Sequence, residues 1–564
     1  MEQARLLIAI ALSFLVFLIW NVFFVDQEAL QPRRPPADAT APSSPSETPS
    51  TSEADSRAPA SQPPSQEAEA VSADQPPAIP PPTDRPPRTI TVENAFYRVR
   101  LSERGGAVEE IVLKDYRETV SEDAPLKALL DEGLEGGTVI SGFTGAGVPV
   151  PRDVRFATDA ESDEWRVEDG ERRVAFAWRA ATGVVLEKVY VFRPDTYLIG
   201  LETRVINGTG ETLRGSQTLS LFNRLPGATA RFGFEGPSAL VDNSLEQVQA
   251  KDIEDKDTYA GEIGWLALES RYFMTSAVPA NSPAGRVHLA VSPDEVLENR
   301  FISPEETVAP GETKTQRYDL FFGPKSVSLL RSYDNGLARA IDFGWFDFLA
   351  KPILWIMNQI YKAIPNYGVA IIILTIFIKI LLWPLGNKSY KSMAEMKKLQ
   401  PLMAEIREKY KDDKQKMNEE LMGLYRIYKV NPVGGCLPMI LQIPVFFAFY
   451  RMLYEAIELR HAPFVGWIRD LSAPDRLFRF DFAIPLMEPP YGIPVLTIVM
   501  GATMFLQQKM SPPPGDPSQA KVMMFMPIMF TVIFINFSSG LVLYWLVNNV
   551  LSIGQQYYVT KKAA

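Results

Sequence analysis

Apolar and polar positions along this chain fall into three textures, and each predicts a different kind of structure. The first is the continuous apolar run. Residues 6–25, 367–384, 437–453, 493–506, 522–537 and 541–557 are each dominated by Leu, Ile, Val, Phe and Met. A helix needs about 20 mostly apolar residues to cross the ~30 Å hydrocarbon core of a bilayer. The runs therefore predict six transmembrane helices, one at the start and five in the last third. The opening run ends in aromatics (Trp20, Phe23, Phe24) and lacks a small-x-small cleavage site, so it is expected to be an uncleaved anchor rather than a signal peptide.

The second texture is alternation at period two. Between residues 89 and 323, short alternating segments such as 89–101, 174–178, 184–192, 197–205 and 315–322 are separated by Gly, Asp, Asn and Pro. That pattern predicts strands with one buried face, assembled into a large antiparallel sandwich. The third texture is helical spacing interrupted by charge. Leu329, Leu330, Tyr333, Leu337, Ile341, Phe346, Leu349, Ile353, Ile356 and Ile360 predict one amphipathic helix over 326–364, lying on a membrane surface or packed on the sandwich. Met396, Leu399, Met403, Ile406 and Tyr410, then Met417, Leu421, Leu424 and Tyr428, form two short seams of an antiparallel helical hairpin, with Pro401 expected to kink the first helix.

Between the opening run and the strands, residues 27–88 are rich in Pro, Ala, Ser and Glu and poor in large apolar side chains. Such a segment cannot bury enough surface to offset its ordering entropy and is expected to be a disordered tether. The fold class is thus a polytopic α-helical membrane protein with a large β-sandwich. The expected parts are an anchor (1–26), a tether (27–88), the sandwich (89–325), an interfacial helix (326–366) and a five-span core (367–564) containing the hairpin (385–431).

Charge orients these parts. The hairpin section carries eleven Lys and Arg against seven Asp and Glu, which places it in the cytoplasm, whereas the loop 454–491 has four bases against six acids and belongs outside. Counting spans back puts the sandwich in the periplasm and both termini in the cytoplasm. The formal net charge of −10 argues against DNA as a partner of the whole protein. A local basic surface on the hairpin suits ribosomal RNA or anionic lipid, and a solvated spacer fits it equally.

Candidate chemistry is sparse. The single cysteine, Cys436, lies in an apolar run, and the two histidines, His288 and His461, are far apart. Metal sites, cofactors and nucleophilic catalysis have no support, and the chain is not expected to be an enzyme. The acidic run from Lys251 to Asp257 reads as a solvated loop before a cation site. One charge inside a span stands out. Lys379 costs about 2.5–3.5 kcal/mol at mid-span on insertion scales, and either snorkelling toward the headgroups or a wet cavity would relieve that cost. Thr375 sits one turn away on the same face, and Gln442, Thr503, Gln507, Thr531, Asn536, Asn548, Asn549, Ser552 and Gln555 add polar groups to neighbouring spans. Singly these are interhelical packing contacts; together they favour the cavity.

The sequence also resembles a known family. Asn431-Pro432-Val433-Gly434-Gly435-Cys436-Leu437-Pro438 runs into Gln442-Ile443-Pro444-Val445-Phe446, and Ser539-Gly540-Leu541-Val542-Leu543-Tyr544-Trp545 follows later. With Leu399-Gln400-Pro401, Asp412-Asp413-Lys414-Gln415 and Asp470-Leu471-Ser472, these motifs resemble the YidC/Oxa/Alb family of membrane-protein insertases, in its Gram-negative form. Arg104-Gly105-Gly106-Ala107-Val108 is the clearest echo in the sandwich. The resemblance implies a five-helix core around a hydrophilic groove that opens to cytoplasm and lipid. It puts Lys379, Thr375, Gln442 and Trp545 at the groove and Phe446, Met529 and Phe530 on the surface along which a substrate helix leaves. The family commonly has Arg where this chain has Lys379, and Tyr where it has Trp545. Implied partners are nascent membrane proteins, the lipid bilayer, the Sec translocon (SecYEG, SecDF) and the ribosome, the last through Lys411, Asp412, Asp413 and Lys414 at the hairpin tip. A passive assembly scaffold and a small-solute transporter are the competing classes. The second lacks the internal repeat it would require.

Overall fold

The computed structural model describes residues 85–564 apart from 132, 146–153, 225–232, 281–282, 429, 431–436, 512–516 and 564. The expected anchor, nearly all of the tether and the 431–436 motif lie outside the described residues.

The alternating segments are strands of two sheets, one of five strands and one of fourteen. In the larger, Arg172–Arg179, Val184–Phe192, Leu198–Asn207, Thr313–Pro324 and Phe273–Pro279 pair antiparallel in that order. Phe273–Pro279 then pairs with the C-terminal part of Thr258–Glu269, whose N-terminal part pairs instead with Ala284–Val291. Val296–Ile302 and Leu213–Arg224 follow. One strand is thus shared between two halves of the sheet, and the halves enclose a common core that includes Trp265, Tyr190, Phe301, Tyr318 and Phe321. The segment 89–101 is two strands, not one. Asn94 accepts hydrogen bonds at Oδ1 from the amides of Phe96 and Tyr97 and turns the chain between Thr89–Glu93 and Tyr97–Ser102.

The Arg104–Val108 motif has a physical explanation. Gly105 and Gly106 adopt φ of 68° and 54°, which turns their carbonyls inward. The wholly buried ammonium of Lys188 donates to the carbonyls of Gly105 (2.8 Å), Gly106 (3.2 Å) and Val139 (2.9 Å), 5.4 Å from the Phe156 ring centroid. Burial pushes this amine down to about 7.

Among the described residues, nine α-helices follow the sandwich strands: α1 (Val327–Ser332), α2 (Asp347–Ala363), α3 (Tyr367–Leu381), α4 (Trp383–Lys409), α5 (Lys414–Ile427), α6 (Leu437–Glu455), α7 (Val495–Met510), α8 (Pro517–Phe534) and α9 (Ser539–Ala563). Two expectations need correction. The single helix expected over 326–364 is broken, because Asp334, Gly336 and Gly344 have positive φ of 51°, 80° and 71°. The chain between α1 and α2 makes two tight turns against the sandwich, and Trp265 Nε1 donates to the Gly336 carbonyl at 3.0 Å. The apolar run 367–384 is not one helix either. Pro384 starts a new helix at Trp383, bent by 65° from α3. Among the described residues no single helix is long and apolar enough to cross a membrane, and α3 with α4 meets that test only as a bent pair.

The hairpin seams meet as helices α4 and α5. Leu399, Met403 and Leu421 are buried together, with Met396, Ile406, Met417, Leu424 and Tyr425 against them. Tyr428, expected in the seam, is exposed, and Tyr425 on the neighbouring position packs instead. Helix α4 is continuous through Pro401, the residue expected to kink it. The local cost is one helical hydrogen bond, the one Lys397's carbonyl would have accepted.

The segment between α6 and α7 ties helix ends together on the side of the sandwich. Asn366, which caps α3, donates to Phe464 O at 3.1 Å. Asp475 accepts from the Leu496 amide and the Thr497 hydroxyl at the start of α7. Arg476 donates to Ile535 O at the end of α8, and Ser539 and Gly540 at the start of α9 donate to the carbonyls of Ala473 and Leu471. The end of α6 is held by the sandwich itself, where Arg271 donates to Tyr454 O at 2.9 and 2.7 Å and lies 3.6 Å over the Tyr454 ring. Helices α7 and α8 then cross where Gly501 faces Thr531; a Cβ on Gly501 would lie 2.0 Å from Thr531 Oγ1.

Two outcomes are expected. Gly501→Val should lower the thermal midpoint of the detergent-solubilised protein, at about 1–3 kcal/mol for overpacking, and adding Thr531→Ala should restore much of the loss. The second concerns Lys188. Its folded amine releases its proton near 7, whereas the unfolded amine holds it to about 10.4. Between those values the unfolded state binds more protons, so this group makes stability rise with pH. Unfolding measured from pH 6 to 10 should show a rise in the wild type that Lys188→Met lacks, and at pH 10 the variant should be weaker by about 1–3 kcal/mol for the carbonyls left unpaired.

Candidate functional site

Helix α9 is the element around which the site is built. It packs against α3, α4, α6 and α7. Its residues Asn549, Ser552, Gln555 and Gln556 are buried despite being polar. A buried polar group without a partner is costly; Asn549, Ser552 and Gln555 find partners on three other helices, and Gln556 Nε2 reaches Ser511 Oγ just past α7 at 3.4 Å.

Lys379, near the end of α3, donates from Nζ to Ser552 Oγ at 2.6 Å. Ser552 Oγ in turn donates to Asn548 O at 2.7 Å, and the Tyr390 hydroxyl of α4 bonds the same serine. The ammonium is half-buried and held between helices. Further toward the sandwich, Gln442 Nε2 of α6 donates to Asn548 Oδ1 at 3.0 Å, and its side chain also reaches the Tyr544 hydroxyl. On the opposite flank Asn549 Nδ2 approaches Thr503 Oγ1 of α7 at 3.4 Å. Beyond Lys379, Gln555 Nε2 donates to both Trp383 O and Asn387 Oδ1 at 3.0 Å, across the break between α3 and α4. That approach requires Gly386, where a Cβ would lie 2.7 Å from Gln555 Nε2.

The other expected site residues divide into separate groups. Thr375 is buried and turned onto its own helix, donating to Ile371 O at 2.6 Å, so it makes no bond to Lys379. Trp545 lies about 10 Å along α9 from Ser552, from the 1.5 Å rise per residue. There it joins the residues expected on the exit surface. Its ring meets Phe446 edge-on at 4.7 Å and Phe534 at 4.8 Å, with Phe530 at 6.2 Å. Met529 is half-buried on α8, and its neighbours Phe525, Ile528, Val532 and Ile533 are exposed. The structure therefore places a polar group around Lys379 and an aromatic group around Trp545 on one helix, two turns apart.

At the hairpin tip, Lys411, Asp412 and Asp413 are exposed. Asp413 caps α5 by accepting from the Lys416 amide at 3.0 Å, which gives one of the expected contact residues a local structural task. The Lys414 side chain lies outside the described residues. The acidic run near 255 is a loop in which Asp257 approaches His288 Nε2 at 3.5 Å.

Sequence reasoning missed Asn387 and Tyr390, which complete the polar group from α4. The signal was their spacing: Trp383, Asn387 and Tyr390 recur at helical intervals just past the break, so all three share one face.

Comparisons with known proteins place this chain closely. Residues 359–564 match the family model described as 60Kd inner membrane protein, and residues 89–356 match the YidC periplasmic domain. A membrane protein insertase YidC of Syntrophus aciditrophicus is 41% identical over 99% of each chain, and one of Pelobacter propionicus is 38% identical over 99% of each. A solved structure of an active YidC insertase aligns over 84% of this chain and 93% of that one, at 17% identity and a TM-score of 0.37. With two family models together spanning nearly all of the described chain and relatives alike over their full length, the chain belongs to the YidC family of membrane protein insertases.

Proposed function

We propose that this protein inserts nascent integral membrane proteins into the bacterial inner membrane and helps them fold, with no bond broken and no cofactor. The observation that carries the reading is the placement of Lys379 among Ser552, Tyr390 and the buried polar face of α9. A cation held between helices by a serine hydroxyl suits a polar groove better than a lipid-facing surface. The polar tail of a substrate enters that groove from the cytoplasm, drawn by Lys379 where the tail is acidic. Its apolar helix then leaves past Phe446, Phe530 and Met529, where α8 offers an apolar face to lipid.

In this reading α3, α6, α7, α8 and α9 cross the membrane with the α4–α5 hairpin in the cytoplasm. The sandwich stands in the periplasm, and residues 1–26 supply the anchor. The alternation of helix ends supports that arrangement, since α3 begins, α6 ends, α7 begins, α8 ends and α9 begins beside the same connecting segment. Work beside a Sec translocon, and contact of the hairpin with a ribosome, belong to the same proposal. They rest on the basic, exposed hairpin and on family membership.

The test is insertion of short single-span substrates in cells depleted of the protein. Wild-type chain should restore insertion. Lys379→Met should slow insertion of substrates with acidic translocated tails several-fold while neutral-tailed ones change little, and Lys379→Arg should behave as wild type. Normal insertion after depletion would refute the reading. Loss of all substrates alike in Lys379→Met, with intact protein levels, would remove the electrostatic role.

A further inference from the structure

The connecting segment between α6 and α7 carries an apolar surface that no residue of the site uses. Residues Leu477–Phe480 and Tyr491–Ile493 pair as a small antiparallel ribbon. Around it Phe478, Phe482 and Leu486 are 68, 64 and 76 % exposed. Their backbone is not loose. Phe478 and Leu486 hold φ of 52° and 65°, a region bulky side chains rarely occupy. Asn536, just past α8, clamps the bend from both sides, donating from Nδ2 to Leu486 O at 2.9 Å and accepting at Oδ1 from the Glu488 amide at 2.9 Å. Arg476 adds a third tie, donating to Pro490 O at 2.9 Å. The fold therefore holds three large apolar side chains outward on a braced loop.

What covers them follows from what adjoins them. The loop leads directly into α7, whose exposed face begins with Ile498 and Val499, and its clamp Asn536 lies three residues past the exposed Ile533 of α8. The apolar surface of the loop is thus continuous with the apolar flanks of two helices of an inner-membrane family. Arg479, between Phe478 and Phe480, and the adjacent Asp481 are exposed, and an Arg at such a place suits pairing with a headgroup phosphate. Aromatic and apolar residues next to an Arg at the end of a span are the composition of a membrane–water boundary.

We infer that the loop carrying Phe478, Phe482 and Leu486 is a lipid-embedded wedge, seated in the periplasmic leaflet and fixing the outer ends of α7 and α8 relative to the bilayer. The inference rests on the span arrangement proposed above. It adds a membrane contact outside the spans, from a segment charge counting assigned simply to the periplasm. Its consequence is local: the exposed face of α8, where a substrate helix would leave, is set in depth by a contact only one turn past its end.

The experiment uses the full chain with Cys436→Ser, reconstituted in vesicles of phosphatidylethanolamine and phosphatidylglycerol. Phe482→Cys and Leu486→Cys are each labelled with an environment-sensitive fluorophore, as are Ile498→Cys on α7 and Glu254→Cys on the sandwich. Quenching lipids carry a nitroxide either near the glycerol or deep in the acyl chain. The expected result is a blue shift at Phe482 and Leu486 with more loss of fluorescence from the shallow quencher than from the deep one. Ile498 should be quenched and Glu254 should stay water-like. Quenching at Ile498 with none at Phe482 and Leu486 overturns the wedge and leaves the spans standing. A blue shift at those two positions without quenching by either lipid means that protein covers the loop, which also overturns it. Absence of quenching at Ile498 itself overturns the span arrangement and the wedge together.

Discussion

The requirement that buried polar groups be paired organises the helical half of this protein. Asn549, Ser552, Gln555 and Gln556 lie along α9 where apolar residues would pack without penalty. Ser552, Gln555 and Asn549 are paired from other helices, by Lys379 from α3, Asn387 and Tyr390 from α4 and Thr503 from α7, and Gln556 Nε2 reaches Ser511 Oγ just past α7. Those pairings set the order of helices around α9 more strictly than apolar contact would, since a hydrogen bond fails over a displacement of less than 1 Å or so. The same groups give the protein a polar interior at the depth where Lys379 sits, so the constraint that specifies the packing also makes the candidate site.

The sandwich half solves a similar problem with a charge. Among the described residues no carboxylate pairs with Lys188; it is held by the carbonyls of Gly105, Gly106 and Val139 and lies near the Phe156 ring. The ion is tolerated because three backbone acceptors replace its water, and its depressed proton affinity is the residue of a desolvation that those acceptors do not fully offset. Across the junction between the halves the arrangement is again cation on carbonyl. Arg271 grips Tyr454 O from the sandwich, and Arg460 reaches back to the carbonyls of Arg117 and Glu118. Two arginines from opposite sides are each satisfied by backbone carbonyls of the other part, and Arg271 also stacks on the Tyr454 ring.

Much of this was legible in the chain because it rests on periodicity. Alternation at Leu198–Asn207 and the seam of Leu399, Met403 and Leu421 follow directly from which faces must be buried, whereas Val184–Phe192, expected to have one buried face, is a strand buried on both. What escaped was governed by single residues. Composition ran the apolar stretch from 367 to 384 together, but Pro384 placed the start of a new helix at Trp383. Gly336 and Gly344 divided a helix whose apolar spacing looked continuous. At the site, Lys379 was visible as an anomalous charge, and Ser552 as one polar residue among several. Their pairing was not, because 173 residues separate them. Tyr390 and Asn387 were hidden by the assumption that everything past Pro384 belonged to the hairpin. Trp545, expected at the groove, stands among aromatics two helical turns along α9 from Ser552.

The bridge made by Gln555 has a mechanical meaning. It bonds Trp383 O at the break and Asn387 one turn into α4, so the first turn of the hairpin cannot tilt without dragging on α9. The hairpin is a long arm hinged at one end, and Gly386 lets the hinge pin sit flush against it. The hinge end of the arm thus lies three residues along α9 from Ser552, the serine that holds Lys379.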